Sequence, residues 1–163
     1  MELFISLKRQ IKLLSISIIF IAVYFVIIYN YKEDEKFLIK ALGMSIPFVL
    51  LVFPTFFIHI QYLICDYKKK IILDYQSAKL IISKNGSDEI IIRFDEINEI
   101  LFHKREIEGD GGIAWFTWHD YSYTEIRYSG NKKIKVTCFC YDRQFPIPIG
   151  YTLKRRLIPY LKK

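Results

Sequence analysis

Apolar positions along this chain follow two patterns, long unbroken runs in the first 65 residues and short alternating segments beyond them. No charged residue lies between Lys12 and Lys32, and Leu13 to Tyr29 reads LLSISIIFIAVYFVIIY. At a rise of about 1.5 Å per residue, such a run matches the roughly 30 Å hydrocarbon core of a bilayer and predicts a transmembrane helix over 13–31. The run continues into Tyr29-Asn30-Tyr31 rather than ending in small residues, which argues against a cleaved signal peptide. A second uncharged stretch, 41–65, has polar interruptions at Ser45, Thr55, His59 and Gln61 and is long enough to span with tilt. Pro47 and Pro54 each remove a backbone donor, which membranes tolerate when a neighbouring helix satisfies the freed carbonyls. The two runs therefore predict a transmembrane hairpin over 13–65.

Within residues 1–12, Leu3, Phe4, Leu7 and Ile11 recur at helical spacing opposite Lys8, Arg9 and Lys12. This amphipathic segment fits a surface-lying N-terminus or an extension of the first helix. His59 reads as an interfacial neutral histidine beside Gln61 and Tyr62, since neither span holds a second ionisable group for a relay.

From Tyr67 onward, short β-prone segments broken by turn residues predict a separate, mostly β domain over 66–163. Lys70–Tyr75, Lys79–Ser83 and Glu89–Phe94 read as a three-strand meander, with Asn85-Gly86 supplying a hairpin turn. Asp95–Arg105 reads as a further strand, Glu108–Gly112 as a loop, and Tyr121–Ser129 with Lys132–Tyr141 as a second hairpin around Gly130-Asn131. In the last of these, alternation sets Ile134, Val136, Cys138 and Cys140 on one face and Lys133, Lys135 and Thr137 on the other. The tail from Ile149 to Lys163 places Leu153, Leu157 and Tyr160 opposite Lys154, Arg155 and Arg156, the pattern of a short amphipathic helix capping a sheet.

Charge gives the hairpin an orientation. The net charge of +7 divides into +2 over residues 1–12, zero over 31–40 and +5 from Asp66 onward, so both flanks of the hydrophobic region are basic and the turn between the spans is not. By the positive-inside rule both termini face the cytoplasm and the turn carrying Glu33, Asp34 and Glu35 faces outward. The location this implies is a bacterial inner membrane, crossed twice. Three cysteines, Cys65, Cys138 and Cys140, are too few for a disulfide framework and read as reduced thiols. No recognised nucleic-acid motif accompanies the basic charge, and contact with membrane lipid explains it more simply.

Catalytic patterns are sparse. The chain holds no glycine-rich phosphate loop, nucleophile elbow or paired-histidine metal motif. Gly109-Asp110-Gly111-Gly112 reads as a turn, and the Cys138/Cys140 pair as core side chains, because His103 and His119 match no zinc spacing. No catalytic residue, metal or cofactor is expected, and the chain is read as not an enzyme. Two features stand out as contact surfaces: the aromatic stretch with Trp115, Phe116, Trp118 and Tyr121, and the basic triplet Lys154, Arg155 and Arg156. The aromatics fit three placements, in a core, dipped into the membrane interface, or at a protein-binding hot spot.

The element order, with a Trp115-Phe116-Thr117-Trp118 entry, then Tyr121 to Ile126, a turn, Ile134 to Cys138 and a closing segment, resembles bacterial pleckstrin-homology-like domains behind two membrane spans. The resemblance implies an α+β membrane protein, in which a two-helix hairpin precedes a small bent β-barrel or sandwich closed by a C-terminal helix. It implies a fold more than a function. The loop corresponding to the phosphoinositide-binding hairpin, Asp74 to Lys79, has only Lys79 as a base, so lipid contact of that specific kind is not expected. The expected role is a non-catalytic membrane-anchored interaction module that engages lipid, a protein partner or a second copy of itself. A second possibility of another class is an immunity or accessory protein that neutralises a membrane-acting toxin.

Overall fold

The computed structural model describes residues 1–32, 36–84, 89–104, 117–130, 132–156 and 158–161. Two helices lead and two four-stranded sheets follow, an α+β architecture. Helix α1 (Leu7–Asn30) begins at an N-cap Ser6, whose hydroxyl accepts the Arg9 N–H, and α2 (Phe37–Asp66) runs for 30 residues through Pro47 and Pro54. Both are long and apolar enough to cross a membrane. They pair antiparallel, with the Tyr24 hydroxyl 2.6 Å from Ser45 Oγ and the Tyr24 ring stacked 4.4 Å from that of Phe48.

The first sheet has the order β1-β2-β3-β4, formed by Glu2–Leu3, Lys69–Asp74, Lys79–Lys84 and Ile90–Arg93, all antiparallel. The meander read from alternation is present, and Ile71, Leu73, Leu80, Ile82 and Ile92 point inward as period-two spacing requires. Its β2–β3 turn is held by the Asp74 carboxylate, which accepts the Gln76 and Ser77 N–H groups. The N-terminal residues are drawn into this sheet: Leu3 is buried in the core as part of β1, and only from Leu7 does the chain become helical.

The second sheet has the order β7-β6-β5-β8: β5 (Ile97–Lys104), β6 (Ser122–Tyr128), β7 (Lys132–Thr137) and β8 (Tyr151–Arg155). A single 3-10 turn, Phe94–Glu96, links it to the first sheet. Gly130 takes φ +68° in the β6–β7 turn, the left-handed region that glycine enters without penalty. Asn131, the Asn85-Gly86 turn, the Glu108–Gly112 loop and the acidic turn Glu33–Glu35 lie outside the described residues.

Two expectations are corrected. The tail forms no helix among the described residues: Tyr151–Arg155 is a strand lying parallel to β5, and 158–161 continue alongside α2. Only eight residues lie between Gly150 and Pro159, too few for a helix to be stable alone, whereas the free edge of β5 offers a ready ladder. Nor is there a closed barrel. The two sheets face each other as an open sandwich around Ile71, Leu80, Ile92, Ile100, Ile126 and Val136. The cap expected at the C-terminus is supplied from the other end of the chain. The last turns of α2 cover the outer face of the second sheet, where Ile58 and Tyr62 pack with Tyr121, Tyr123 and Phe139.

Candidate functional site

The densest polar chemistry lies where α2 ends. Asp66, fully buried, receives three hydrogen bonds: from Lys69 Nζ at 2.7 Å, from the Thr137 N–H at 3.0 Å and from the Thr137 hydroxyl at 2.6 Å. Lys69 also donates to the Lys135 carbonyl at 2.8 Å. Burial alone would lower the Lys69 ammonium, but the Asp66 carboxylate outweighs it and holds the group above its ordinary value. The Thr137 N–H, which points away from β6 on the edge of the sheet, is taken by Asp66, so one carboxylate ties the helix end to the strand end. A buried pair is stable only with its remaining lone pairs satisfied, as here.

Further up α2 the same face carries a ladder of side chains to the domain. The Thr117 hydroxyl donates to the Leu51 carbonyl at 2.6 Å and meets the Thr55 hydroxyl. His59 Nδ1 lies 2.8 Å from the Tyr121 hydroxyl, with the His59 ring 4.7 Å from that of Phe139. The Tyr62 hydroxyl donates to the Pro159 carbonyl at 2.6 Å, and the Leu161 N–H donates to Gln61 Oε1. From α1, Arg9 donates to the Cys140 carbonyl and sits 3.6 Å from the Asp142 carboxylate. The site is a joint: it sets the domain rigidly against both helices.

A second feature is the open side of the sandwich. Between β3–β4 and β7 lies a cleft of about 440 Å³ with Ile82, Ile90 and Ile134 as its apolar floor and Lys69, Lys84, Lys133 and Lys135 around it. Burial lowers the Lys135 ammonium; Glu125 opposes the shift and Lys133 adds to it.

The expected contact residues are dispersed. Trp118 and Tyr121 are buried in the helix-facing cluster, while Trp115 and Phe116 lie outside the described residues. Lys154 and Arg155 are exposed on edge strand β8. Arg156 follows the strand, its N–H bonded to the Lys104 carbonyl and its guanidinium 5.9 Å from the centre of the Tyr123 ring. The alternation expected across Cys138 and Cys140 fails because β7 ends at Thr137 and the chain turns. Cys138 packs toward the helices and Cys140 between the sheets. Burial pushes the Cys138 thiol up to about 12 and raises that of Cys140 as well, leaving neither with thiolate character near neutral pH. His59 is not loosely interfacial but sealed into the joint. Sequence reading missed Asp66, whose signal is a carboxylate at the very end of an apolar run with a lysine three residues on.

Comparison with known proteins supplies one match. A family model described as a PH domain covers residues 3–145, which include both helices as well as the sandwich up to Phe145. No curated protein and no solved structure matches the chain. Since the match spans most of the chain, taking in both helices and strands β2 to β7 of the two sheets, the chain belongs to the PH domain family.

Proposed function

We infer that this PH domain is a non-catalytic interaction module held at the cytoplasmic face of a bacterial inner membrane by its own two helices. The observation that supports it best is the outward surface of the hairpin. Ile18, Val23, Val26, Leu42, Ile46, Val49, Leu50 and Phe53 all stand exposed, a patch far larger than water-facing surfaces carry, while the foot of α2 is bonded into the domain. Lipid is the solvent that suits the first, and a domain held in place against the hairpin suits the second.

In this reading Lys154 and Arg155 on β8 contact anionic headgroups by diffuse attraction. The lysine-rimmed cleft between β4 and β7 is the surface offered to a partner, and its charge suits an acidic one. Buried thiols of raised pKa argue against Cys138 or Cys140 as a nucleophile. Membranes from cells expressing the full chain, washed at alkaline carbonate pH, test the anchoring: the protein is expected to stay in the pellet, and its recovery in the wash would contradict the reading.

A further inference from the structure

The ladder between α2 and the domain fixes how deep the domain sits. The Tyr24 contacts with Ser45 and Phe48 set the register of the antiparallel hairpin, bringing Lys12 to the height of His59 and Leu7 to that of Ile64. Packing of Leu13 with Ile58 and Tyr62 agrees with that register. Lys12 is the last charged residue before the uncharged run of α1, so the height of His59 marks the inner boundary of the hydrocarbon. Yet the domain does not stop there. Tyr121 meets α2 at His59, but Thr117 meets it at Thr55 and Leu51, which lies about 12 Å further along the helix.

The opposite side of the hairpin excludes a thinner membrane. Phe53, Phe57, Ile60 and Ile64 form an exposed stripe along α2, and Leu7, Ile11 and Ile18 form one along α1. Were the boundary drawn at Leu51, only about 22 Å of α2 would remain, short of a roughly 30 Å core, and Phe53, Phe57 and Ile18, exposed between the heights of Leu51 and His59, would stand in water. The buried row Thr55, Ile58, His59, Tyr62 and Asp66 shares those heights but faces the domain. One face of the inner half of α2 thus meets lipid and the other meets protein.

The geometry points to a domain partly sunk in the cytoplasmic leaflet, with Thr117 and Trp118 packed on α2 at the depth of the upper acyl chains and lipid surrounding that contact from outside. This rests on the reading that both helices span. The composition of the segment fits it. Thr117 spends its hydroxyl on the helix carbonyl of Leu51, as polar groups in hydrocarbon must, and Trp118 and Tyr121 are buried beside it against the helices. The polar pair His119 and Asp120, 3.1 Å apart, falls near the height of His59, level with the headgroups.

Bromine-labelled lipid tests the depth. In vesicles containing the full chain as Trp115→Phe, the remaining Trp118 is expected to lose at least about half its emission to lipids brominated near the top of the acyl chain, and less to lipids brominated at its end. Unlabelled lipid is the baseline. Emission unchanged by either lipid would overturn the inference. Should Trp115→Phe fail to fold, Trp115→Tyr carries the same arms. A second variant, Phe20→Trp with Trp115→Phe and Trp118→Phe, separates this from the spanning itself. Quenching at position 20 without quenching of Trp118 sinks the embedded domain alone, and no quenching at either sinks both.

Discussion

Asp66 is the residue on which the arrangement turns, because it satisfies a helix end, a lysine and a strand end at once. Asp66→Ala leaves the Lys69 ammonium buried without its partner and is expected to cost about 3–5 kcal/mol, read as lost thermal stability in detergent micelles. The apolar pair Asp66→Leu with Lys69→Met should recover most of that loss, since no charge is then left uncompensated. His103 offers a test by pH. It is buried against Tyr123, ring centres 4.3 Å apart, and neither ring nitrogen has a hydrogen-bond partner among the described residues. Burial first, and the Arg156 guanidinium second, push it down to about 4. Its folded value lies below the unfolded one of about 6.5, so its neutral form stabilises the fold fully above that pH and the contribution fades as pH falls toward 4. The expected loss is on the order of 3 kcal/mol across that window, and His103→Phe should flatten the acid limb of a stability-pH profile. Neither role was legible in the sequence, because burial of a lone Asp or His depends on what the fold packs over it: Thr137 lies 71 residues from Asp66, and His103 is covered by Tyr123 on the neighbouring strand.

At the scale of elements, α2 has two tasks that sequence periodicity reads as one. Its apolar run reads as a span, and nothing in the run separates the exposed stripe from the row that caps the second sheet, since Ile58 and Phe57 are equally apolar. The strands, by contrast, were legible: β2 and β3 alternate cleanly because one face is core and the other is water. The C-terminal strand was not, since Leu153 and Tyr160 recur at helical spacing and only the open edge of β5 decides between the two states. A prediction follows from the shared cap. The fragment 66–163, cut from its helices, loses both β1 and the cover over Tyr121, Tyr123 and Phe139, and is expected to be molten or insoluble rather than cooperatively folded, as tested by near-UV circular dichroism. Tyr121→Phe is a milder test of the same joint. Losing the bond to His59 should lower stability by about 1–2 kcal/mol in thermal melts while leaving the aromatic packing in place.

For the molecule as a whole, the hairpin and the β-rich domain emerge as one body rather than an anchor with a cargo. The family match runs across both, and every turn of the inner half of α2 is engaged by sheet, tail or loop. The proposed orientation rests on charge, with basic residues at both flanks of the hairpin and none in excess at the turn between the helices. Paired reporter fusions measure this most directly, one at the C-terminus and one inserted between the helices. A reporter fluorescent only in the cytoplasm should be active at the C-terminus, and a phosphatase active only outside the inner membrane should be active between the helices. Phosphatase activity at the C-terminus would contradict the account.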